Sequence, residues 1–86
     1  MDSNMDNEQI AIRFFTALSI LKAKGTIHGI NNFTDRYGID RRNLYQLKKN
    51  PSRGIFKPWW LSALVIDYNI SPLWLLTGKG NIYVED

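Results

Sequence analysis

Apolar positions recur along this chain at helical spacing and are broken by glycine, proline and asparagine. Ile10, Phe14, Ala17, Leu18 and Leu21 lie three or four residues apart, which places them on one face of a helix running from Asp6-Asn7 to about Ala23. Lys22 and Lys24 complement the negative end of its dipole, and Gly25 is placed to end it. A connection from Thr26 to Ile30 follows. The pattern then predicts a short second helix over about Asn31 to Tyr37, capped by Asn31, with Phe33 and Tyr37 on its inner face. Gly38 supplies the positive φ of a tight turn. Ile39 is the apolar plug of that turn, and Asp40 is the N-cap of a third helix reaching about Lys49. Leu44 and Leu47 join Ile39 in an inner stripe, which leaves Arg41, Arg42, Tyr45, Gln46 and Lys49 on the other faces.

Asn50-Pro51 stops the third helix, because the proline ring has no place in a continuing one. Pro51 to Lys57 reads as a loop. Pro58 reads as the first residue of a fourth helix whose apolar content is Trp60, Leu61, Leu64, Val65 and Tyr68, closed by Asn69. Ser71 and Pro72 are the N-cap and first position of a fifth helix carrying Leu73, Trp74, Leu75 and Leu76, with Gly78 beyond its end. Asn81 to Val84 is short and β-prone: a tail, an edge strand or a dimer contact. Trp60 and Trp74 are expected in the core. Trp59, adjacent to Trp60, cannot share its face and is expected to be exposed as a dimer or partner contact. The expected organisation is all-α: a flexible terminus over 1–6, one five-helix domain over 7–80 and a tail over 81–86.

Composition narrows the function classes. The 86-residue chain is 44% apolar, ordinary for a globular fold and too rich for a disordered one. It has no cysteine, so disulfides and thiolate metal sites are excluded, and the single His28, in a glycine-flanked connection, has no carboxylate cluster beside it. No cofactor is expected. No apolar run approaches the ~20 residues of a membrane span, and the acidic start MDSNMDNEQ is unlike a signal peptide, so the expected location is the cytoplasm. Gly78-Lys79-Gly80 lacks the first glycine and the following Ser/Thr of a phosphate-binding loop. No nucleophile, base and orienting group can be assembled, so an enzyme is not expected.

The net charge of +3 is unevenly spread. Residues 1–34 balance to zero. Residues 35–57 set Arg36, Arg41, Arg42, Lys48, Lys49, Arg53 and Lys57 against Asp35 and Asp40, a net of +5, and residues 58–86 carry a net of −2. The basic charge thus sits on the predicted third helix and the loop after it, as a phosphate-binding surface requires. A solvated helix face beside a loop has the same composition.

Two segments carry a family resemblance. Phe33-x-x-x-Tyr37-Gly38-Ile39-x-x-x-x-Leu44-x-x-Leu47 and Tyr68-Asn69-Ile70-Ser71-Pro72-Leu73-Trp74-Leu75-Leu76-Thr77-Gly78-Lys79-Gly80 resemble the lambda-repressor-like, or Xre/Cro-type, helix-turn-helix family of bacterial and phage transcription regulators. The likeness spans roughly residues 10–83, and the second segment is its more specific part. It implies a five-helix lambda-repressor-like DNA-binding domain with the helix-turn-helix at helices 2 and 3. It further implies base contacts from Arg41, Arg42, Tyr45 and Gln46, and phosphate contacts from Lys49, Ser52 and Arg53. The chemistry of the side chains agrees: arginine can pair with guanine O6 and N7, glutamine with adenine N6 and N7. Helix-two amides near Asn32 add a phosphate site, and Lys48 and Lys57 are outer phosphate partners. The chain departs from the family at Ile30, where a glutamine is common, at Thr34, where a small residue is common, and in the aromatic exit of the 50–57 loop.

The expectation is therefore a sequence-specific double-stranded DNA binder acting as a homodimer on a palindrome, a transcriptional regulator of phage or mobile-element type. The final helix and residues 81–84 are the expected dimer surface. The alternative is a helical protein-interaction module that keeps the fold and binds through Phe56, Trp59 and the tail. Carboxylate pairs on Arg41 and Arg42 would favour that alternative.

Overall fold

The computed structural model describes residues 7–52 and 56–84. The described residues form five helices: α1 (Asn7–Ala23), α2 (Ile30–Tyr37), α3 (Arg41–Lys49), α4 (Trp59–Tyr68) and α5 (Pro72–Thr77). The chain is all-helical, with a single isolated β-bridge and no strand among those residues. The expected flexible terminus at 1–6 and the expected phosphate contact at Arg53 lie outside the described residues.

Local chemistry accounts for most helix ends. Asp40 accepts a hydrogen bond from the Asn43 amide at 3.2 Å, and Ser71 accepts one from the Trp74 amide at 3.2 Å. Gly38 ends α2 at φ 66°, a left-handed conformation that a Cβ disfavours. Asn69 ends α4 at φ 60°, asparagine being the side chain that best tolerates it. Two boundaries differ from expectation. α2 begins at Ile30 behind Gly29, which gives no side-chain cap. Asn31 is not that cap: it lies inside the helix, and its side-chain Oδ1 accepts from the Tyr45 hydroxyl of α3. Pro58 stands at the N-cap of α4 rather than inside it.

The core is built on α1, which packs against both α3 and α5. Ala11, Phe14, Ala17, Leu18 and Leu21 of α1 are buried with Ile27, Phe33, Ile39, Leu44, Leu47, Trp60, Leu64, Ile70 and Leu75. Ile39 is buried as the plug of the α2–α3 turn, as its position predicts. Trp60 is in the core, whereas Trp74 is only half-buried. Phe56 is not a free surface aromatic, because it packs against Phe14 and Trp60 with ring centroids 5.9 Å away in each case. Residues 82–84 fold back on the chain: Ser71 donates to the Ile82 carbonyl at 2.7 Å and Val84 to the Asn69 carbonyl at 3.0 Å. Lys24 sits 4.3 Å over the Tyr83 ring and fastens this return to the end of α1.

One charged residue belongs to this architecture. Arg13 is only 9% exposed on the inner face of α1. Its Nε donates to the Leu75 carbonyl at 2.7 Å and its Nη2 to the Leu76 carbonyl at 3.0 Å, at the C-terminal end of α5. The cation meets the negative end of that helix and satisfies carbonyls that the helix itself leaves without partners.

Candidate functional site

The α2–α3 unit sets the geometry of the basic surface. Leu44 and Leu47 are fully buried, so the helical period turns Arg41, Arg42, Tyr45, Gln46, Lys48 and Lys49 outward, and all six are exposed. Arg42, Tyr45, Gln46, Lys48 and Lys49 line one open groove of about 650 Å³ along α3. Both members of the i, i+4 pair Arg42 and Gln46 and of the pair Tyr45 and Lys49 lie along it, so neighbouring polar ends sit one helical turn apart.

Two straps fix α3 to α2 beyond the hydrophobic plug. Arg41 Nη2 donates to both oxygens of Asp35 at 2.7 Å, and its Nε donates to Oδ1 at 3.3 Å. This is the one salt bridge among the described residues, with the side chains of Arg41 and Asp35 51% and 63% exposed. The hydrogen bond to Asp35, and then its charge, raise the Arg41 pKa further above its ordinary value. The Tyr45 hydroxyl donates to Asn31 Oδ1 at 2.8 Å. Among the described residues, no carboxylate holds Arg42.

The structure thus divides the expected base-reading set. Arg41 and Tyr45 are held by α2, while Arg42 and Gln46 project without such a hold. Among the expected phosphate partners, Lys49 and Ser52 are exposed. Asn32 is exposed at the start of α2, where its Oδ1 accepts from the His28 amide at 3.4 Å. Arg36, counted in the basic cluster, lies instead over the Tyr37 and Tyr68 rings, 5.6 and 5.9 Å from their centroids.

A second depression escaped the sequence reading. Leu18, Ser19, Lys22, Ile30, Tyr45 and Lys48 line about 270 Å³ where α1, the start of α2 and α3 meet. Lys22, which suits the α1 dipole by its position in the sequence, shares this hollow with Lys48. The signal was available: Lys22 and Ser19 are three apart and follow Leu18 and Leu21, so they fall beside the buried stripe rather than opposite it. Ile30, where a glutamine was looked for, forms an apolar wall of the same hollow.

Across the rest of the described surface, no group of three His, Cys, Asp or Glu side chains is placed to hold a metal ion. No helix is long and apolar enough to cross a membrane. Comparison of the chain with protein-family models, with curated proteins and with solved structures finds no match.

Proposed function

We propose that this protein is a sequence-specific double-stranded DNA-binding protein with a lambda-repressor-like fold, a cytoplasmic transcriptional regulator of phage or mobile-element type. The observation that carries this reading is the division of α3: two leucines fully buried beneath it, and Arg42, Tyr45, Gln46 and Lys49 exposed along one groove. A helix presented in this way fits the major groove, where arginine reads guanine and glutamine reads adenine. Lys48 and Lys49, with Lys22 across the second hollow, supply cations for flanking phosphates. The protein binds as a symmetric dimer on an inverted repeat with half-sites about one helical turn apart.

The test is selection of bound sequences from random duplexes at two salt concentrations. An enriched inverted repeat is the expected result and gives the half-site spacing directly. Salt-sensitive binding without enrichment would make the protein a non-specific binder.

A second reading has specific support. Trp59 is 46% exposed and Ile66 77% exposed on α4, and Arg41 is paired with a carboxylate. These features suit a helical protein-interaction module. The packing of Phe56 into the core removes one of its anchors. Absence of DNA binding at either salt concentration would transfer the conclusion to this module.

A further inference from the structure

We propose that Asp35 is a specificity-determining residue: it holds the Arg41 guanidinium so that its outer edge reads a guanine. The inference rests on the DNA-binding reading above and assigns a role within that surface to a residue of α2.

The geometry of the pair carries it. A guanidinium has two edges that can each make a fork of parallel N–H bonds. Asp35 takes the edge formed by Nε and Nη2. The end-on edge carries Nη1, which makes no bond to Asp35, and this side of the guanidinium is left for another acceptor. Guanine O6 and N7 are the paired acceptors in the major groove that match such an edge. The pair is half-exposed at the first residue of α3, not enclosed in the core, so a duplex can approach it. A carboxylate placed for stability alone would contribute little at that exposure.

The carboxylate has two consequences. It biases a long, rotamer-rich side chain toward one orientation before DNA arrives, which lowers the ordering cost of binding. It also cancels the Arg41 charge locally, so that Arg41 adds little to sequence-independent attraction for phosphate. Arg42, one residue on, has no carboxylate partner among the described residues. The neighbouring arginines therefore divide the work, Arg41 selecting and Arg42 attracting as well as reading.

The experiment is selection from random duplexes with the full chain, its Asp35→Ala variant and its Asp35→Asn variant. It is followed by binding titrations on the selected site, on that site with the affected guanine replaced, and on random duplex. For Asp35→Ala, preference for one guanine in each half-site should fall about tenfold. Affinity for random duplex should hold or rise, and thermal stability should fall only slightly, as the loss of an exposed pair predicts. Asp35→Asn, which keeps one acceptor oxygen, should fall between. If both variants retain the full preference while the parent chain selects a site, Asp35 has no such role although the DNA-binding reading stands. If Asp35→Ala binds its selected site more tightly with unaltered base preference, Asp35 merely competes with DNA for Arg41, which also overturns the proposal. If the parent chain selects no sequence, the reading beneath the proposal fails, and the proposal with it.

Discussion

Replacing Arg13 with methionine tests the strongest structural statement made by a single side chain. α5 has six residues, too few to be stable alone, and its last carbonyls need partners from outside the helical ladder. The Leu73 carbonyl accepts from the Thr77 hydroxyl and the Trp74 carbonyl from the Gly78 amide. The Leu75 and Leu76 carbonyls accept from Arg13. Methionine matches the length of the arginine stem, so most of the stem's burial is retained while both bonds are lost. Bonds from a charged donor contribute about 1.5–3 kcal/mol each. Leu76 is exposed, so water replaces Arg13 at that carbonyl, and removing a buried charge recovers some desolvation cost. The expected loss is about 2–3 kcal/mol, read by urea unfolding through tryptophan fluorescence, with a fall in Tm on the order of 10–20 °C for a domain of this size. Arg13→Lys keeps the charge but cannot span both carbonyls in a planar fork, and should lose about half as much. A loss below about 0.5 kcal/mol for Arg13→Met would refute the argument, since it would mean that α5 is held by Leu75 packing alone.

Three further outcomes are expected. Arg42, Lys48, Lys49 and Lys22 are the described cations on or beside α3 that neither a carboxylate nor an aromatic face engages, so binding of one protomer should give a slope of log K against log salt near about −3.6. Lys22→Ala should reduce that slope by about 0.9 without changing the selected sequence, and an unchanged slope would remove the second hollow from the interface. The Tyr37 phenol is pushed well above its ordinary value, first by burial and then by its hydrogen bond to Asp67. Above about pH 10 the unfolded chain therefore loses this proton while the folded chain keeps it, and stability should fall as pH rises. Tyr37→Phe should flatten that alkaline fall in denaturant titrations, and curves that remain parallel for the two proteins would contradict the assignment.

The parts legible in sequence are those decided within a turn or two of chain. Gly38, Asp40, Asn69, Ser71 and Gly78 each act on backbone groups no more than five residues away, so residue type and position suffice to place them. Most of the buried stripe of α1 was legible for the same reason, although Ile10 is only half-buried and Ala11, one residue on, takes the core position instead. Arg13 also lies on that stripe, between Ile10 and Ala17, but its partners are 62 and 63 residues distant. A charged residue at a core spacing signals a buried bond, though not to what. Asn31 shows the converse error: its type suits a cap, yet a tertiary partner, Tyr45, claims its oxygen. The tail's pairing with residues 69–71 is likewise a long-range event that a β-prone composition leaves open.

The charge count illustrates why folding must intervene between composition and function. Residues 35–57 carry a net of +5, but the fold distributes that charge among different tasks. Arg36 is laid over two tyrosine rings, and Arg41 is neutralised by Asp35. Lys22, from a segment that balances to zero, joins the surface instead. What remains on α3 is a helix fixed to its neighbour by Ile39, by the Arg41–Asp35 fork and by the Tyr45–Asn31 bond. On the proposed DNA-binding reading, fixing α3 at three points limits the freedom it would lose on binding, so more of each base contact would be available for discrimination. Loosening the straps should therefore erode the preference among sequences before it erodes attraction to DNA as such. In a protein that recognised only phosphate, the same changes would leave every duplex bound alike.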